Sequence, residues 1–168
     1  MKSYDMKLDE AKTLSDIFEI VKEVVRKVMK TSRAGLTLGL AEMGGGKDYW
    51  IGAFYPVGST TIIMNKTSLR RISETEPCLF NAYAFHVLLH EYIHSLGYID
   101  ERKTRNLVYW ISREIFGEDH LVTQMADDIS KFFPNLTYPI GGYFPISPEK
   151  LKLEMVEDFD RSSINYIL

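Results

Sequence analysis

His86–Asp100 reads HVLLHEYIHSLGYID. Its polar residues sit among Val87, Leu88, Leu89, Tyr92, Ile93 and Leu96, which leaves a helix built from them almost no purely solvent-facing surface. A helix that is apolar nearly all round is a buried one, so a buried helix is predicted over roughly 79–96, stopping near Gly97. In a helix, positions four residues apart differ by about 40° around the axis and lie about 6 Å apart along it. His90 and His94 therefore project side by side and can reach one metal ion. Glu91 is turned about 100° away from His90, where it flanks such an ion without binding it. Buried polar side chains are costly unless something satisfies them. A cation lining an internal cleft satisfies both imidazoles at once; hydrogen bonds inside the core are the alternative.

The surrounding sequence is that of a mixed domain. Leu14, Ile17, Phe18, Val21, Val24, Val25 and Val28 recur at three- and four-residue spacing, which predicts an amphipathic helix over 13–30 with Thr13 or Ser15 as its cap. AGLTLGLAEM reads as a strand ending at Gly44-Gly45-Gly46. YWIGAFY and TTIIMN are rich in aromatic and β-branched residues and are separated by Pro56-Val57-Gly58-Ser59, which predicts a hairpin. Further helices are predicted from near Asp100 to Phe116, ended by Gly117, over 119–133, and over 148–158, where Ser147-Pro148 is a good start. The aromatic stretch after Pro134 reads as a loop folded back on the body. No repeat or linker is evident, so a single α+β domain spanning 1–168 is expected, with the sheet and motif helix in 1–97 and a helical part and tail in 98–168.

HEYIH, His90–His94, matches the HExxH motif of the zincin metallopeptidases, and the order helix, strands, hairpin, motif helix resembles their amino-terminal half over roughly residues 36–120. The resemblance implies a zincin-like fold, a small mixed or antiparallel sheet on a buried active-site helix with a helical C-terminal part. It implies Zn²⁺ held by His90 and His94, with Glu91 as general base. It also implies that the strand near Thr60–Asn65 is a sheet edge to which an extended peptide can add. The expected function is zinc-dependent hydrolysis of a peptide or protein substrate. The alternative is a non-catalytic zincin-like binding protein with a structural zinc.

A catalytic zinc normally has three protein ligands and a water, and the third ligand is open. His120, in GEDHL, is preferred, because imidazole is a common zinc ligand and the position between two helices lets it point inward. Asp100 stands where HExxHxxGxxH of the metzincins, which HEYIHSLGYID resembles, has its last histidine, with Gly97 on the glycine; its competing role is the helix cap before Glu101. Glu114 lies twenty residues after His94, the gluzincin spacing, but also fits the charged flank of an amphipathic helix. Glu101 is a fourth possibility. His86, one turn before His90, either orients a ligand through a hydrogen bond or is a core histidine. Met125 is compared with the methionine turn of the metzincins and with ordinary core packing. Tyr138 and Tyr143 are candidate oxyanion donors.

Composition narrows the classes further. The 168 residues are 45% hydrophobic and 26% charged with a net charge of −3, ordinary for a globular chain. Arg70-Arg71 and the scattered lysines read as solvated faces, so no nucleic-acid partner is expected. MKSYDMKLDEAKTLSD has no apolar signal-peptide core, and no apolar run is long enough to span a bilayer. Cys78, the single cysteine, is expected to be a small buried hydrophobe. A cytoplasmic location without membrane attachment is the expectation.

Overall fold

Thr13 opens the first long helix with a reciprocal cap: its side chain accepts from the Asp16 amide while the Asp16 carboxylate accepts from the Thr13 amide. The helix runs Leu14–Met29 (α2), behind a short α1, Tyr4–Glu10. It buries Ile17, Phe18, Val21, Val24 and Val25 along one stripe, as its periodicity predicts. Thr13→Ala should lower stability by about 1 kcal/mol, measured as a shift in urea midpoint at unchanged slope. The computed structural model describes residues 1–44, 49–138 and 150–164.

β1 (Thr37–Ala41) pairs in parallel with β4 (Thr61–Asn65), Leu38 opposite Ile62. β3 (Ala53–Phe54) pairs antiparallel with β4, and β6 (Glu154–Met155) antiparallel with β1, giving the order β3-β4-β1-β6. The segment Thr60–Asn65, expected at an edge, therefore lies inside the sheet, because its second side is taken by the parallel ladder to β1. β3 forms the edge instead. The expected hairpin is present as β3–β4, but its first arm is cut at Gly52. Trp50–Ile51 (β2) leaves to pair in parallel with β5 (Leu136–Thr137). A Cβ at Gly52 would lie 2.6 Å from the Tyr83 hydroxyl, so only glycine lets the strand pass that close to the buried tyrosine.

α3 (Lys66–Thr75) follows β4 directly, capped by Asn65. It buries only Leu69 and Ile72 among its apolar residues, too thin a stripe to be read from sequence. After a 3₁₀ turn comes α4 (Phe80–Ser95), then α5 (Glu101–Phe116), ended by Gly117 at φ 86°. The helix expected over 119–133 is shorter, α6 (Leu121–Asp127) and then a 3₁₀ turn at Ile129–Lys131. Of the helix expected over 148–158, Glu154–Met155 form β6 instead, satisfied by the open edge of β1; its first residues lie outside those described. Cys78 is exposed, not buried, since it lies in the turn before α4.

α4 is wrapped by α2, α5 and α6 and rests on β3. Tyr83, Phe85, Leu88, Leu89, Tyr92 and Ile93 are all fully buried, the all-round burial that its sequence requires. The chain's last described segment, including α7 (Arg161–Ile164), clasps α2. Phe159 stacks on Phe18 at 4.0 Å, and Asp160 accepts from Lys22 Nζ at 2.6 Å and from the Gly35 and Leu36 amides at 2.7 and 3.1 Å. Among the described residues no helix is long and apolar enough to cross a membrane.

Candidate metal centre

α4 ends at Gly97, whose φ of 108° admits few side chains, and the chain reverses through Tyr98 and Ile99. Asp100 then caps α5 by accepting from the Lys103 amide at 2.8 Å. This places the next residue, Glu101, back against the end of α4. His94 Nε2 lies 2.7 Å from Glu101 Oε1, and His90 Nε2 lies 3.2 Å from Oε2. One ligand atom from each of the three residues falls within 4.8 Å of the others. On the far side of its ring, His94 Nδ1–H donates to the Tyr98 carbonyl at 2.6 Å. That bond leaves Nε2 as the nitrogen facing the cluster.

The charges of the three groups depend on one another. Burial works against Glu101's charge, yet hydrogen bonds from His90 and His94 and their charge bring its carboxyl down to about 2. Burial also works against a charged His94, but the Glu101 hydrogen bond and the nearby Glu91 carboxylate raise it above the ordinary imidazole range. Burial lowers His90, with Glu101 opposing. Two imidazole nitrogens and a carboxylate converge closely enough to hold a cation in place of the proton they now share. Two histidines and a glutamate are also one of the recurring donor sets of catalytic zinc, so these residues fit a divalent cation.

Glu91 is only 2% exposed and stands outside the donor set, as its place on the helix requires. Burial pushes its carboxyl up to about 8, against the pull of His94 and a hydrogen bond from the Tyr55 backbone. It lines a cleft with Phe54, Tyr55, Val57, His94, Ile99 and Glu101. The enclosed volume there is about 20 Å³, enough for a water and too small for a side chain. Val57 and Ile99 present apolar surface at the rim, 56% and 46% exposed.

The remaining candidates are placed elsewhere. His120 caps α6, its Nδ1 accepting from the Val122 amide at 3.1 Å, and stacks on Phe116 at 4.6 Å; the structure does not bring it to the pair. Asp100 is occupied as the cap of α5. Glu114 is exposed and sits thirteen residues beyond Glu101 on the same helix, roughly 20 Å along its axis. Glu101, not His120, lies beside the histidine pair, and the signal was present in the sequence: the glycine break at Gly97 and the capped start of α5 bring its first carboxylate back to the end of α4. Met125 is a buried residue within α6, not a turn. His86 Nε2 is hydrogen-bonded to the Tyr138 hydroxyl at 2.7 Å. Burial, with the charges of His90 and Arg105, lowers His86 to about 3, which keeps it neutral. Tyr143 lies outside the described residues. Compared with known proteins, the chain matches no family model, and no curated protein or solved structure matches it.

Proposed function

We propose that this chain is a zinc-dependent peptidase of the zincin type, with His90, His94 and Glu101 holding the metal and Glu91 as general base. The observation that carries this reading is the division of labour on one helix end: three donors converge, while a buried carboxylate that is not one of them faces a water-sized space. A divalent cation held there supplies Lewis acidity, polarising a carbonyl and acidifying water. Glu91 would take the proton of the attacking water and return it to the leaving amine. Phe54, on the outermost strand of the described sheet, lines the cleft, so an extended peptide bound there would run beside the sheet. The apolar rim of Val57 and Ile99 favours apolar side chains next to the bond being cut.

A purely structural zinc has four protein ligands, whereas the cluster among the described residues has three; this favours catalysis over the binding-protein alternative. The test is metal analysis with peptide hydrolysis. The parent protein should carry close to one zinc and cleave an unstructured peptide. Glu101→Ala should lose most of its metal, while Asp100→Ala, Glu114→Ala and His120→Ala keep theirs. Full metal content in Glu101→Ala would remove Glu101 from the ligand set.

A further inference from the structure

We propose that Tyr138 is a positioning residue for the metal centre, holding the His90 imidazole by stacking on it and itself held by His86 and Arg105. The proposal rests on the metal reading above. It begins from an asymmetry between the two histidine ligands. His94 is oriented in the usual way, its second ring nitrogen donating to the Tyr98 carbonyl. Among the described residues His90 Nδ1, which is buried, has no hydrogen-bond partner, so no bond of that kind to them fixes its ring. What lies against His90 is the Tyr138 ring, centroids 4.1 Å apart and planes 14° from parallel, an offset-stacking distance.

Tyr138 is in turn fixed from two directions. Its hydroxyl is bonded to His86 Nε2 at 2.7 Å, one turn earlier on the same helix as His90. The Arg105 guanidinium lies 5.4 Å from its ring centre, within cation–π range. Arg105 Nε is also 3.8 Å from Glu101 Oε2, so one cation touches both the third ligand and the ring covering the first. Among the described residues a cavity of about 250 Å³ borders Tyr138, His86, His90, Arg105 and Met125, and the anchors hold the ring on that side. The hydroxyl is spent on His86, so Tyr138 acts through His90 rather than as the oxyanion donor its sequence position suggested.

The experiment uses the full chain loaded with Co²⁺, whose visible spectrum reports ligand geometry. Tyr138→Ala should shift that spectrum and weaken Co²⁺ binding by about 10-fold to 100-fold, the usual loss when a residue supporting a ligand is removed. Tyr138→Phe keeps the stacking face but loses the bond to His86, and should fall between the parent and Tyr138→Ala. Adding p-cresol to Tyr138→Ala should refill the space and return the parent spectrum. Tyr138→Leu, which fills the position without a π face, should behave like the alanine variant, and it serves where Tyr138→Ala does not fold. A parent-like spectrum and affinity in a folded Tyr138→Ala or Tyr138→Leu protein overturns the positioning role and leaves the metal reading intact. A parent protein that binds no Co²⁺ overturns the metal reading and this proposal with it.

Discussion

Glu91→Gln is expected to bind metal like the parent protein and to turn over peptide about 10²- to 10⁴-fold more slowly, the span usually supplied by a positioned general base. The separation follows from helix geometry. His90 and His94 project together toward Glu101, whereas Glu91 points into the neighbouring cleft and makes no contribution to the donor set. Glutamine has the same shape and keeps an oxygen to accept from the Tyr55 backbone, so the cleft should hold its form. What disappears is basicity: a carboxyl that burial has lifted to about 8 is replaced by an amide that takes no proton at working pH. Metal content by elemental analysis and steady-state peptide hydrolysis check the two halves separately. Parent-rate turnover in the glutamine variant would sink the base assignment; loss of metal would make Glu91 a ligand.

Asp160→Ala is expected to cost about 3–5 kcal/mol of stability, the penalty for leaving a buried charge without its partner. Lys22 and Asp160 are both 2% exposed, and Lys22 Nζ approaches Asp160 Oδ1 at 2.6 Å. Glu19, 2.7 Å away, remains as a second partner for the lysine. Removing the aspartate also takes the acceptor from the Gly35 and Leu36 amides, two backbone donors at the entry to β1. Arg161→Ala, next along the chain, breaks only a surface pair with Asp16 and should cost under about 1 kcal/mol. Urea unfolding of both variants makes the comparison. A loss below 1 kcal/mol for Asp160→Ala would show that Lys22 finds water or Glu19 at no cost.

The parts of this fold legible from sequence were those set by a strong local period. α2 announces itself through seven apolar residues in register and a cap at Thr13 or Ser15, and α4 through the absence of any polar face. The placement of His90 and His94 side by side, with Glu91 turned away from them, follows from helical angles alone. What could not be read depended on partners distant in sequence. Whether Thr61–Asn65 is an edge is decided by a parallel ladder to β1, and Trp50–Ile51 is drawn away by Leu136–Thr137, more than eighty residues on. α3 has too little apolar surface to show a period. The residue beside the histidine pair was hidden for a geometric reason: chemistry favours His120 as an imidazole, whereas the turn at Gly97 and the Asp100 cap bring Glu101 to the end of α4. His86 and Tyr138 meet only through tertiary packing, and no spacing could have paired them.

His90, Glu91, His94 and Glu101 fall within twelve consecutive residues. Closing so short a loop around an ion would cost little chain entropy, and the convergence of the three side chains depends on one turn and one cap. The candidate donor set is thus local in the chain, while Tyr138 from the tail and Phe54 from the sheet are brought against it from a distance.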